Sequence, residues 1–236
     1  MGTTISGIAE GDLANVYTDE TPQADETQAQ INNQRILELQ NRRDTMRTSQ
    51  DQFTSTPQAN GVNDGTFVSQ VSGPTNPNAI KGQGNCLPTS LVMVGREFGK
   101  LAKDPNQSQS QINKVRQDAN ASPNNKEGVS YEEGATAAKK MGLQGKVVTE
   151  NTDELKNSTD NKNKKVIVGV NPAILDPNRG YGPNEHHAIV VDSVDKAKDT
   201  AVIEDPNNQE GHTVVKLSDL EKARSTEKNK VLEVST

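Results

Sequence analysis

The chain holds one cysteine, Cys86, within the stretch GQGNCLPTSLVMVGREFGK at positions 82–100. It stands between a glycine-bearing approach and the first turn of what reads as a helix. At a helix N-terminus the free N–H groups and the macrodipole favour an anion, so a thiol there is drawn toward its reactive thiolate form. A thiolate nucleophile needs a base, and the base needs a group to orient it. The chain has three histidines, and two of them, His186 and His187, open the strand-like run HHAIVVDSV. Strand side chains alternate, so only one of the pair can face the helix. His187 shares its face with Ile189 and Val191, and His186 with Ala188 and Val190. The next strand-like run, DTAVIEDPN, contains Asp205 near its end. A hairpin through the polar DKAKD places the end of the second strand beside the start of the first. Asp205 then lies near His187, where a carboxylate fixes the tautomer and stabilises the imidazolium. The candidate assembly is Cys86 as nucleophile, His187 as general base and acid, and Asp205 as orienter. The competing reading is a buried structural thiol and a structural histidine. An oxyanion would take the N–H of Cys86 and a nearby side-chain amide. Gln83 is the first candidate for that amide and Asn85 the second. Gly82 and Gly84 allow close backbone approach to a substrate carbonyl.

Other elements must hold these groups. Leu87, Leu91, Val94, Phe98 and Leu101 recur at helical spacing, which predicts a helix with one apolar stripe. Pro88 fits its first turn. A more polar helix is expected over Ser108–Ala119. Ser130 and Glu133 form a capping box for a helix in SYEEGATAAKKMGL that Gly142 ends. LQGKVV reads as a short strand, and NTDELKNS as a short helix capped by Asn151 or Thr152. KKVIVGVN is an apolar run that predicts a strand buried on both faces. HHAIVVDSV, DTAVIED and HTVVKL follow as strands, LSDLEKAR as a helix and KVLEVS as a last strand. Helices precede a sheet of sequential antiparallel strands, which implies an α+β domain. The two DPN triplets, at Asp176 and Asp205, are turn starters.

The chain of 236 residues is 30% hydrophobic and 3% aromatic, with no tryptophan, so a core spread over its whole length would be thin. Its net charge of −6 is uneven: residues 1–80 have ten acidic side chains and four arginines, whereas residues 81–236 have 22 of each sign. The first stretch is rich in Gln, Asn, Thr, Ser and Asp. It is expected to be a flexible polar arm, with one weak helix between Asp25 and Phe53 and a linker from Ser55 to Asn78. The expected division is therefore an arm and linker over 1–80 and a folded domain over 81–236. A basic stripe interleaved with aromatics is lacking, so nucleic acid is not expected as a partner. No apolar run has membrane-span length, and the N-terminus does not read as a secretory signal peptide. A lone cysteine excludes an intrachain disulfide framework and cysteine-based zinc fingers.

From Gly82 onward the chain resembles papain-like cysteine peptidases of the bacteriocin-processing, double-glycine-leader type. The matching pieces come in the family's order. NCLPTSLVMVGREFGK resembles the nucleophile helix, GVSYEEGATAAKKMGLQGKVV the following helix and strand, and NTDELKNSTDNKNKKVIVGVN the short helix and buried strand. HHAIVVDSVDKAKDTAVIEDPN resembles the histidine strand and the Asp-Pro turn. The resemblance implies a papain-like fold, with the nucleophile helix packed on a mainly antiparallel sheet. It implies a nucleophile at Cys86, a catalytic histidine at His187 and an orienting carboxylate at Asp205. The family's oxyanion glutamine lies further from its cysteine than Gln83 does, near the position held here by Ile80. The transporter-linked members carry a membrane region, so this chain is expected to be a soluble stand-alone member.

The function expected is peptide-bond hydrolysis through an acyl-enzyme, with a protein or peptide substrate. One alternative is an effector acting on a side-chain amide, as a glutamine deamidase or acyltransferase. Another is a non-catalytic peptide-binding domain of the same fold. No cofactor and no metal are expected. A cluster of Glu185, His186, His187 and His212 would be a poor chelate, because adjacent strand histidines point apart. The arm is a candidate for binding a chaperone, secretion or assembly partner. The expected location is the cytoplasm, or outside it by a signal-peptide-independent route.

Overall fold

A computed structural model of the chain describes residues 64–80, 84–121, 127–209 and 211–236. The expected weak helix between Asp25 and Phe53 and most of the expected arm lie outside these residues.

The first helix, α1 (Cys86–Glu97), opens at the cysteine. Its residues from Leu87 to Arg96 are all buried. This exceeds the single apolar stripe expected, because the helix is covered on several sides. It ends at Glu97, ahead of Phe98 and Leu101. Gly99 takes a positive φ of 67°, and the N–H groups of Gly99 and Lys100 return to the carbonyls of Arg96 and Gly95. That pair of bonds is a Schellman closure, in which a left-handed glycine satisfies the last carbonyls. A short 3-10 turn (Pro105–Gln107) leads into α2 (Ser108–Asp118). α3 (Tyr131–Lys140) begins with the expected capping box of Ser130 and Glu133, and Gly142 at φ +77° follows its end. β1 (Gln144–Thr149) comes next, then α4 (Thr152–Asp160), which Asn151 caps through a second box with Glu154. β2 (Lys164–Val170), the one-turn α5 (Pro172–Leu175), β3 (His187–Asp195), β4 (Thr200–Glu204), β5 (His212–Lys216), α6 (Leu217–Ser225) and β6 (Lys230–Ser235) complete the order.

The strands form one antiparallel sheet in the order β1-β6-β2-β3-β4-β5. From β2 to β5 the strands are sequential, as the hairpin signals imply. The last strand instead enters between β1 and β2. Its Val231, Leu232 and Val234 are fully buried, as befits a central strand. The apolar run of β2 is also central and buried on both faces. Ile167 lies in a core with Leu87, Leu91, Ile112, Ala138, Ala188 and Val190, under α1, α2 and α3. Val166 and Val168 lie in a second core with Leu155, Ile189, Ile203 and Leu220, under α4 and α6. The protein is thus an α+β fold with helices on both faces of the sheet.

The linker expected up to Asn78 is corrected by the structure. Phe67 and Val68 are buried in the first core. Gln70 N–H donates to the Pro206 carbonyl at 2.7 Å and Ser69 Oγ at 3.2 Å, while Asn76 Nδ2 donates to the Ser69 carbonyl at 3.0 Å. Two apolar residues in a polar run supply burial, and side-chain groups satisfy the backbone there in place of a ladder. The compact unit extends from Ala59 to Thr236, so the boundary expected between residues 80 and 81 falls inside it.

α3 lies so close to β1 that a Cβ on Gly145 would sit 2.7 Å from Ala135 Cα and 2.8 Å from Ala135 O. Both obstacles are backbone, so relief requires the helix to move. Gly145→Ala is expected to destabilise the fold by about 2 kcal/mol, measured by denaturant unfolding.

Candidate active site

Cys86 is the first residue of α1, with Asn85 as N-cap, and it is partly exposed. α1 lies along β3, where Ser90 Oγ donates to the Ala188 carbonyl at 3.4 Å. Ala188 and Val190 are the β3 residues packed in the core under α1. Alternation therefore sends His187 toward the opposite face, with Ile189. His187 nevertheless meets the thiol, because it is the first residue of its strand and Cys86 the first of its helix. The two side chains lie close enough for each to shift the other's protonation. His187 Nε2 and Asp205 Oδ1 are 2.7 Å apart, which leaves Nδ1 for the thiol. β3 and β4 pair through the expected hairpin, with Val190 opposite Glu204, and Asp205 follows at the strand's end. The structure thus brings Cys86, His187 and Asp205 together.

Asp205 is held in turn. Its Oδ1 accepts the Asn207 N–H at 2.7 Å and its carbonyl the Asn208 N–H at 2.8 Å. This is the turn chemistry that Asp-Pro-Asn encodes. The 66–76 strap bonds to Pro206, the next residue. Arg179 donates to the Asn207 carbonyl at 3.1 Å, and its Nη1 lies 3.8 Å from Asp205 Oδ2. Tyr181, in the GYGPN loop beside the histidines, accepts from Asn207 Nδ2 at 2.9 Å.

The electrostatics favour a thiolate–imidazolium pair. Burial pushes the Cys86 thiol up, but the hydrogen bond and charge of His187 and the N–H groups of Ala188 and Leu87 outweigh it, so the thiol ends below its ordinary value. Burial pushes His187 down, yet hydrogen bonds to Asp205 and Cys86 and their charges carry it up to about 9. Burial raises Asp205 as well, and the His187 hydrogen bond and charge bring it below the usual carboxylate range. These directions are mutually consistent, because each charge is offset by an opposite neighbour.

Two residues of the site carry no sequence signal of their own. Arg116, on polar α2, is fully buried. It donates to the Gly84 carbonyl at 3.0 Å, to Asn85 Oδ1 at 3.2 Å and to the Glu127 carbonyl at 3.0 Å. It therefore fixes the residues just ahead of Cys86 and places a positive charge that the thiolate feels. Tyr131 lies above Gly169, where an added Cβ would come within 2.7 Å of the tyrosine hydroxyl. Burial first, then the charges of Cys86 and Glu227, pushes this phenol up. Its oxygen is buried and hydrogen-bonds to none of the described residues. Of the two oxyanion candidates, Gln83 lies outside the described residues. Asn85 is buried, with its side-chain oxygen facing Arg116. His186 is exposed and pairs with Glu227, while Glu185 accepts the Gly182 N–H. The residues weighed as a poor chelate are thus dispersed, with His212 against Asp192. Arg116→Leu would remove one donor from each of three acceptors. It is expected to cost about 3 kcal/mol of stability and to slow Cys86 alkylation at neutral pH.

Among the described residues no helix is long and apolar enough to cross a membrane. A protein of Bacillus anthracis assigned as a C39-like peptidase is similar in structure, with a TM-score of 0.50 at 16% identity. That likeness covers 74% of this chain and 96% of the other. The peptidase domain of Streptococcus ComA, a bi-functional ABC transporter, gives 0.48 at 18% identity over 64% of this chain and 91% of that one. The N-terminal peptidase C39 like domain of a toxin secretion ATP-binding protein from Vibrio parahaemolyticus gives 0.44 at 18%, over 67% and 99%. No curated protein matches the chain in sequence. The model of the Peptidase_C39 like family matches residues 62–230, a span that takes in both the buried strap and the three converging side chains. The chain belongs to the Peptidase_C39 like family.

Proposed function

We propose that this protein is a cysteine peptidase that hydrolyses a peptide bond through an acyl-enzyme. The observation that carries the reading is the continuous contact from Cys86 through His187 to Asp205. The Cys86 thiolate attacks the substrate carbonyl carbon, and the carbonyl π pair moves onto oxygen. The resulting oxyanion takes the N–H of Cys86, which stands in the first helical turn where no intrahelical acceptor exists. The amide of Gln83 or Asn85 supplies the second donor. The His187 imidazolium gives its proton to the leaving amine, and the thioester forms as the C–N bond breaks. Neutral His187 then takes a proton from water, whose oxygen displaces the thiolate and restores the pair. Asp205 keeps the imidazole oriented and stabilises its cation throughout.

The polar stretch ahead of Ala59 is proposed as an arm for a chaperone, secretion or assembly partner. Retention in the cytoplasm of a strain whose secretion machinery is intact would count against delivery by export.

The active form needs thiolate and imidazolium together, so kcat/KM should be bell-shaped in pH. The alkaline limb is set by His187 and should fall near pH 9, while the acid limb should lie below the ordinary range of a cysteine. Alkylation of Cys86 by iodoacetamide followed against pH measures the second limb directly. An ordinary thiol titration with slow labelling would sink the proposal. Asp205→Ala is expected to lower kcat/KM by roughly 100-fold or more and to bring the alkaline limb down. Asp205→Asn keeps an orienting oxygen without its charge, so the limb should move with a smaller loss of rate. Cys86→Ala and His187→Ala should abolish turnover on a mixed peptide library read by mass spectrometry, and exposed His186→Ala should not. New peptide termini support hydrolysis of the main chain. Intact chains with glutamine converted to glutamate would instead identify a deamidase.

A further inference from the structure

Beyond the catalytic end of β3, three side chains unused by the peptidase reading converge. Asp192 sits at the irregularity where the β3–β4 register shifts between Val191 and Ser193. Glu204 ends β4 and is the register partner of His212, which opens β5. His212 Nε2 lies 2.9 Å from Asp192 Oδ2 and 3.6 Å from Glu204 Oε1. One donor atom from each residue lies within 4.8 Å of the others. An ion held tetrahedrally at zinc bond lengths keeps its ligands about 3.4 Å apart, so these separations bracket what a single cation needs.

Spacing alone would also describe an ion-paired trio, but the state of Glu204 points to a ligand. The Glu204 side chain is only 5% exposed, and its contact with His212 is too long for a hydrogen bond. No described residue offers it another partner. Asp192 Oδ2 is itself buried, and its near neighbour is His212 Nε2 at 2.9 Å. Two carboxyl groups with little exposure, facing one imidazole, call for further counter-charge. Lys165 supplies it only in part. Its ammonium lies 2.6 Å from Glu97 and 3.2 Å from the other oxygen of Asp192, so one cation is shared between two carboxylates. His212 is 34% exposed, which gives an ion a path in.

We propose that Asp192, Glu204 and His212 form a binding site for a divalent transition cation of the zinc class. One imidazole and two carboxylates suit Zn²⁺, Co²⁺ or Mn²⁺, with a remaining position open to solvent. The cation is structural. Asp192 is five residues along β3 from His187, about 17 Å in a strand, so an ion there does not touch the thiol. It ties β3, β4 and β5 together one residue before Asp205 and so stiffens the turn that orients His187.

The test uses the full chain without an affinity tag, carrying Cys86→Ser so that the thiolate–imidazolium pair cannot take the ion. After chelator treatment, Zn²⁺ is added and bound metal per chain and Tm are measured, with Co²⁺ as the spectroscopic probe. One ion per chain, a higher Tm and Co²⁺ visible bands of low coordination number are expected. His212→Gln and Glu204→Gln should each weaken Zn²⁺ binding about 100-fold or more. Glu204→Gln, which removes a buried carboxylate, should keep or raise the Tm of the ion-free chain. That result separates lost binding from lost folding. Absence of stoichiometric Zn²⁺ binding, or binding that survives both substitutions, overturns the proposal.

Discussion

The junction of α1 with the start of β3 is the contact on which the rest depends. Ala188 and Val190 give α1 its seat, and Ser90 bonds to the strand backbone at the same place. Because helix and strand begin at the same end, Cys86 and His187 meet at the rim of the sheet. A thiol inside the helix would be sealed in the core, and a histidine inside the strand would point to the far face. Termini solve both problems at once: they place the thiol and the imidazole together at the edge of a packed body.

The low aromatic content forces a particular way of building that body. The cores are made mostly of Val, Leu, Ile and Ala, and guanidinium groups are buried beside them. Arg96, Arg116 and Arg224 are all buried, and each donates to backbone carbonyls. Arg96 reaches the Gly65 and Asp104 carbonyls, Arg116 those of Gly84 and Glu127, and Arg224 that of Glu150. A planar group with five fixed donors can satisfy several loop carbonyls together, which lysine cannot do. Loops that would otherwise bury unpaired carbonyls become rigid supports. One of them is the approach to Cys86.

The same economy appears around Asp205. Its turn is held from three directions: by its own carboxylate, by Arg179 and Tyr181 from the rim loop, and by the strap at Ser69 and Gln70. Such restraint holds the carboxylate in place against the imidazole of His187.

Much of this was legible in the sequence. Local signals fix local structure: the capping boxes at Ser130 and Asn151, the stop at Gly142, and the apolar run of β2 with its two buried faces. The β3–β4 hairpin followed from DKAKD, and with it the approach of Asp205 to His187. The remainder depended on contacts between residues far apart in the chain. Nothing in KVLEVS says that the last strand enters between the first two, because strand order is decided by which edges remain open after the helices pack. Phe67 and Val68 read as linker because two apolar residues in a polar run have no period, and only their packing into the first core buries them. Arg116 looks like any charge on a polar helix until the fold turns it inward onto the carbonyls before Cys86. The sequence by itself determined which residues could do chemistry and which segments would carry them. The tertiary structure alone decided their companions, because burial and charge pairing are properties of the assembled neighbourhood and not of any one stretch of chain.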